Sequence, residues 1–326
     1  MSDERDEASG VRERLDTARS ALPQLQDRID RLQQRFAVTA FPVGVWLRYR
    51  EDRGHEYAAL WSYYGIFSLF PLLMVLTTVV GYLFPKDSEL RRQIVAEVYE
   101  RIPVLGPHIQ EQIESIQGNG WALLIGIVIA LWAGLGVVQA SQDAFNLMWG
   151  VPIVDRPGFV PKRLRSLGAL AIIGGGLLVA TVASAVVAFV IDASGPARVA
   201  GWVASTAINA AVLLASFKVL TEAPLRWRAL LPGALIAGVA LWLLQMLGGF
   251  YLSGVVAGAS EVYGAFAAVI GLMVWMALLA RVVLYGAEVN VVAAKRLWPR
   301  SFTGKLPTDA DERSFTELSE RDIRRL

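Results

Sequence analysis

The 326-residue chain contains no cysteine and only two histidines, His55 and His108. Without thiols there is no disulfide framework, no thiolate metal site and no cysteine nucleophile. Neither histidine sits in an HxH or HExxH spacing, so the ligand sets that metal-assisted hydrolysis of RNA requires are missing. Also missing are a Walker loop, a glycine-rich phosphate cradle and a nucleophile elbow. The formal net charge of +2 is too small to signal a nucleic-acid partner. No catalytic, cofactor-binding or metal-ligating residue is assigned on these grounds. No short apolar run near Met1 leads to a small-residue cleavage site, so no cleavable signal peptide is expected.

What the chain does have is apolar length. Hydrophobic residues make up 55% of it, and they gather in blocks rather than at a helix or strand period. A block of about eighteen residues or more, rising about 1.5 Å each, crosses about 30 Å of hydrocarbon. Six blocks qualify: Ala58 to Phe84, Trp121 to Val138, Leu167 to Ile191, Val199 to Phe217, Ala229 to Tyr251, and Val262 to near Ala294. The end of the sixth is ambiguous, because apolar character resumes after Arg281. Hydrocarbon offers bare backbone no hydrogen-bond partner, so each block is expected to be helical. The alternating segments of about ten residues that a barrel needs are absent. The fold class is therefore all-α: a polytopic membrane protein of six transmembrane helices, with the lipid bilayer as its first partner.

Lysine and arginine orient it. Ten precede the first span, among them Arg48, Arg50 and Arg53, and eight follow the sixth. Arg156, Lys162, Arg163 and Arg165 lie between spans two and three, and Lys218, Arg226 and Arg228 between four and five. The three-to-four turn has only Arg198 and the five-to-six turn none. Both termini are thus expected in the cytoplasm, which places His55 inside and His108 outside.

Residues 1–40 form a heptad-patterned cytoplasmic amphipathic helix. Val11, Leu15, Ala18, Leu22, Leu25, Ile29, Leu32 and Phe36 are spaced alternately by four and three. Such a stripe packs on its own protein or makes a homo-oligomer through a coiled coil, and Pro23 counts against a long coil. Residues 41–57, with Phe41, Val43, Val45, Trp46, Leu47 and Tyr49 beside Arg48, Arg50 and Arg53, read as an interfacial elbow helix. Residues 58–298 are the six-span domain. Between spans one and two, Leu90, Ile94, Val98 and Ile102, then Ile109, Ile113 and Ile116, predict an extracytoplasmic helical hairpin. The polar tail 299–326 is expected to be disordered with a short terminal helix.

Polar residues inside or beside spans carry the functional argument, because each is costly there unless paired or wetted. Gln139, Gln142, Asp143 and Asn146 form an i, i+3, i+4, i+7 stripe at the end of span two. Arg281 and Glu288, two turns apart on span six, share a face, with Asn290 close by. Together they make a candidate polar cavity, in which Arg281 and Asp143 are placed to pair. The bland reading is a solvated helix end, a snorkelling arginine and a glutamate among headgroups. Pro71 is a candidate kink in span one. Gly174, Gly175 and Gly176, and the Gly233/Ala237 and Gly254/Gly258 pairs, are read as close-contact positions.

Three segments carry a resemblance: Tyr57–Phe84 with Tyr64, Ser68 and Phe70-Pro71; Ala130–Pro152 followed by RPGFVPKRLRSL; and Val262–Asn290 with Tyr263-Gly264 and Gly286-Ala287-Glu288. In this order, over roughly residues 40 to 300, the chain resembles the YihY/BrkB family of bacterial inner-membrane proteins, historically mislabelled ribonuclease BN. The resemblance implies a six-helix fold in the bacterial cytoplasmic membrane and no established activity, with proposals leaning toward transport. Three function classes follow: a transporter or permeability protein for a small solute, ion or lipid; a non-transporting scaffold or envelope-organising protein; and, last, a membrane-anchored ribonuclease. With no catalytic constellation found, no enzymatic activity is expected.

Overall fold

Long apolar runs fold as long helices, because a helix satisfies its backbone within the segment. The computed structural model describes residues 26–83, 120–190, 195–263 and 265–323, and no strand forms among them. After a helix over 26–35, which we label α1, come α2 (Ala37–Glu51), α3 (Gly54–Leu83), α4 (Gly120–Met148) and α5 (Phe159–Val190). They are followed by α6 (Gly195–Leu220), α7 (Trp227–Tyr263), α8 (Ala265–Lys295) and α9 (Asp309–Ile323). Each of the six expected spans falls on one of the helices α3 to α8. Among the described residues, four segments are long and apolar enough to cross a membrane: Ile127–Met148, Val199–Leu220, Trp227–Leu247 and Val269–Lys295. Residues 84–119, which hold the expected outer hairpin, and residues 1–25 of the heptad segment lie outside the described residues, as do the surroundings of Gly176, Gly254 and Gly258.

Three boundaries differ from the sequence expectation. Helix α4 does not stop at Val138 but runs ten residues on, so the polar stripe lies within the helix. Its end is set chemically: Gly150 adopts φ 74°, the Val151 N–H donates to the Asn146 carbonyl at 2.8 Å, and the Gly150 N–H to Leu147 at 3.0 Å. That is a Schellman motif, which satisfies the last carbonyls. Helix α7 continues past Tyr251 to Tyr263, since isolated glycines among apolar residues weaken a helix without ending it. Helix α8 passes Arg281 and ends only at Lys295, and its apolar segment runs over Val269–Lys295. Pro71 lies inside α3, which is continuous across it.

Residues Tyr49–Asn290 form one compact unit. In it α3 packs on α4, α4 on α5, and α6 on α7. Gly136 makes room for Tyr64: a Cβ there would lie 2.5 Å from the ring. Ser62 donates to the Met273 carbonyl at 2.7 Å and ties α3 to α8. Gly233 on α7 faces Gly286 on α8 so closely that a Cβ at 233 would sit 1.9 Å from the Gly286 carbonyl oxygen. A Cβ at Gly286 would lie 2.6 Å from Ala237, so Gly233/Ala237 is a close-contact pair as expected. Gly174 and Gly175 differ, since no described atom lies within 4 Å of a Cβ at either.

Residues Met1–Arg48 and Val291–Leu326 form a second unit. Its tail is more ordered than the sequence predicts. Thr308 and Asp311 make a reciprocal capping box: the Thr308 N–H donates to Asp311 at 3.0 Å, and the Asp311 N–H to Thr308 Oγ1 at 3.3 Å. Asp309, Asp311 and Glu312 place negative charge in the first turn of α9, where the helix dipole favours it. Arg48, expected among lipid headgroups, is instead 1% exposed. It donates to the Ser314 hydroxyl at 3.1 Å and lies 3.5 Å from Glu317, which also accepts from Lys295 at 3.1 Å.

Candidate functional site

The α4 stripe is held from two directions. Gln142, 2% exposed, accepts through Oε1 a hydrogen bond from Ser166 of α5 at 3.1 Å. Asp143 accepts from the Lys162 ammonium at 2.7 and 3.0 Å, and the Arg156 guanidinium stands 3.8 Å away. A 3-10 turn at Ile153–Asp155 brings Arg156 back, where its guanidinium donates to the Val151 carbonyl at 3.0 and 3.2 Å. Asn146 is buried, and its Oδ1 accepts from the Glu222 N–H at 2.8 Å. Glu222 pairs with Arg165, whose guanidinium also donates to Val219 at 3.2 Å. The α4–α5 and α6–α7 connections therefore interlock at one end of the bundle. Gln139 is half-buried.

Helix α8 places its polar residues differently. Glu288 and Asn290 are both 0% exposed, whereas Arg281 is exposed. Asn290 Oδ1 accepts from the Gly233 N–H at 2.7 Å, directly at the close α7–α8 crossing. Tyr49 stacks on Tyr285 with ring centroids 4.1 Å apart. The Tyr49 hydroxyl is pushed up to about 12, first by burial, then by Tyr285, with Arg281 opposing and Glu288 adding. Gly54 is fitted to that ring, since a Cβ there would lie 2.2 Å from it.

The arrangement does not bring Arg281 to Asp143. The carboxylate takes Lys162 and Arg156, because α5 enters the bundle just beyond α4 and carries its cations past the stripe. An aromatic pair leads from α4 through α6 toward α8. Phe145 meets Phe217 edge-on at 5.3 Å, and the Phe217 ring tip lies 3.4 Å from where a Cβ on Gly286 would be. Two amide nitrogens flank this seam in sequence, Gln142 Nε2 and Asn290 Nδ2. Both are buried, and neither has a hydrogen-bond partner among the described residues. The sequence singled out Gln142, Asp143 and Asn290 but not what fixes their oxygens: Ser166 for Gln142, Lys162 for Asp143 and the Gly233 N–H for Asn290. Lys162 was legible only as a topological charge. His55 is exposed on α3, and His108 lies outside the described residues. Among the described residues, no group of three or more His, Asp or Glu gathers as a metal site.

These helices have relatives. The family described as Virulence factor BrkB matches residues 45–308. A UPF0761 membrane protein of Xanthomonas campestris is 26% identical over 283 residues, covering 83% of this chain and 65% of its own. One from Xanthomonas oryzae is 26% identical over 300 residues, covering 89% of this chain and 68% of its own. One from Xanthomonas euvesicatoria is 25% identical over 283 residues, covering 83% and 65%. The chain thus spans about two thirds of the length of these relatives, which are named only as membrane proteins. No solved structure matches it. The match over residues 45–308, carried by long apolar helices, identifies the chain as a multi-pass membrane protein of the Virulence factor BrkB family.

Proposed function

We propose that the protein crosses the bacterial inner membrane six times with both termini in the cytoplasm, and passes a small solute, ion or lipid beside α4 and α8. The observation that carries this reading is the pair of buried amide donors, Gln142 Nε2 and Asn290 Nδ2, with no partner among the described residues. A buried donor left unmade costs about 1–3 kcal/mol, so a water or a polar solute at those nitrogens repays it. Glu288 buried on the same helix as Asn290 and the lysine-bound Asp143 supply charge next to them. The interlocked connections, Arg156 to Arg165 on one side and Lys218 to Arg228 on the other, gather cations at one end. That supports assigning this end to the cytoplasm.

The test is permeability of the purified full chain in vesicles. Proton entry is followed with trapped pyranine under a potassium diffusion potential, and glycerol entry by light scattering. Permeability well above protein-free vesicles by one of these probes is expected, cut about tenfold by Gln142→Met or Asp143→Asn. A folded protein that leaves both signals at the protein-free level overturns passage of protons and of small neutral solutes beside α4 and α8.

A further inference from the structure

Helix α1 is attached to its own chain by the wrong face for an ordinary amphipathic helix. Its polar residues are turned inward. Asp30 is 0% exposed and accepts from the Ser301 hydroxyl at 2.5 Å and the Thr303 hydroxyl at 2.8 Å. The Gln33 amide donates to Asp30 at 2.9 Å and to the Arg300 carbonyl at 2.6 Å. Asp27 faces Lys305 at 3.6 Å. The apolar heptad positions point away, with Ile29 48%, Leu32 58% and Phe36 58% exposed. Packing on the chain's own tail therefore does not use the stripe.

Charge decides what covers it. With Ile29 and Phe36 as a positions and Leu32 as d, the flanking e and g positions between Val11 and Phe36 are Arg12, Arg14, Arg19, Ala21, Gln26, Arg28, Gln33 and Arg35. None is acidic. The acids Glu13, Asp16, Asp27 and Asp30 fall at b and f, on the far face. Within Val11–Phe36 a second copy, parallel or antiparallel, finds no opposite charge across the seam, and in the parallel register Arg14 meets Arg19. An anionic headgroup layer meets the arginines favourably and takes the apolar side chains among its acyl chains. In the described helix Arg28, Arg31 and Arg35 are all exposed along one border of the stripe.

We propose that the 26–36 segment docks its Ile29, Leu32 and Phe36 face on an anionic lipid surface rather than on a second copy of this chain. The proposal stands whether or not the bundle passes a solute.

Because the chain has no cysteine, Leu32→Cys carries a single nitroxide label on the full-length protein. The protein is placed in vesicles of phosphatidylcholine, alone or with one third phosphatidylglycerol. With the anionic lipid, collision with an aqueous nickel chelate should fall at least threefold and collision with oxygen should rise. Replacing Arg28, Arg31 and Arg35 together by Gln should remove the difference. Ile29→Cys gives an independent position. Equal nickel accessibility in the two vesicle types, whether high or low, overturns the proposal. Spin–spin broadening between labels assigns the face to a second copy and overturns it too.

Discussion

Each of the two units of this protein is stabilised internally by a different means. In Tyr49–Asn290 the close fits are made by what is missing: a Cβ at Gly233, Gly286 or Gly136 would lie 1.9, 2.6 or 2.5 Å from its neighbour. Polar side chains there are few, and most are fastened to backbone or to one partner. In the terminal unit the same task falls to carboxylates. Asp30 accepts from Ser301, Thr303, the Gln33 amide and the Phe302 N–H, and Asp311 from Arg300, the Ser301 N–H and Thr308. Helices in lipid gain little from burying apolar surface against each other, so they rely on close van der Waals contact and small residues. A polar terminal segment in water has little apolar surface to bury, and anchors itself through charge-assisted hydrogen bonds.

This contrast can be broken at its strongest point first. Gly233→Ala pushes a methyl into the Gly286 carbonyl and the Asn290 side chain, and the nearest opposing atom is backbone. Forcing volume into such a contact costs about 3 kcal/mol, which should appear as a large drop in the melting temperature of the detergent-solubilised protein. A melting temperature within a degree of wild type would mean that the crossing is not close.

The second test addresses the carboxylates. Burial pushes the Asp30 carboxyl up, but the hydrogen bonds from Ser301, Gln33, Thr303 and the Phe302 N–H outweigh it and hold the carboxyl below its usual 3.8. For Asp311 burial is likewise outweighed, by the Ser301 N–H, Arg300 and Thr308. A carboxyl lowered on folding contributes stability above its unfolded value, and that contribution disappears as pH falls through the folded value. Hydrogen exchange of residues 300–308, corrected for intrinsic rate, should therefore be slow at neutral pH and accelerate below pH 3.8. At neutral pH Asp30→Ala should cost the unit about 2 kcal/mol and speed trypsin cleavage at Lys305. Unchanged cleavage would show that Asp30 does not anchor the loop.

The smallest effect has the opposite sign. Gly174→Ala has no described atom within 4 Å of the new methyl. It should therefore stabilise α5 by about 0.5–1 kcal/mol through helix propensity alone. A loss of stability instead would place a partner against that glycine.

How much of this was legible in the sequence follows the same division. The helices were legible because hydrocarbon leaves the backbone one solution, and apolar runs of that length have no other use. Gly233/Ala237 was legible as a small-residue pair, whereas Gly174 and Gly175 face no described atom, and spacing alone does not say which helix lies opposite. Arg48 was misplaced for a similar reason. Beside Arg50 and Arg53 it looks like part of a headgroup-facing cluster, and its partner Ser314 is 266 positions away. The pairing of Arg281 with Asp143 failed because the nearer cations, Lys162 and Arg156, had been read only for topology. The terminal helix α9 carried a readable start signal in Thr308 and Asp311, while the loop before it owes its order to Asp30, which no local pattern reveals.

The measurement that tests the account most directly uses the absence of native cysteine. Single variants Leu235→Cys and Gln139→Cys, in native membrane vesicles opened to both sides, are treated with a membrane-impermeant maleimide. Leu235 is exposed on α7 and reads as lipid-facing, while Gln139 begins the α4 polar stripe. The account predicts that Gln139→Cys is labelled and that Leu235→Cys is labelled only after denaturation. Equal labelling of both would contradict hydrocarbon as the solvent of the bundle, and a blank at Gln139→Cys would contradict a wetted polar stripe.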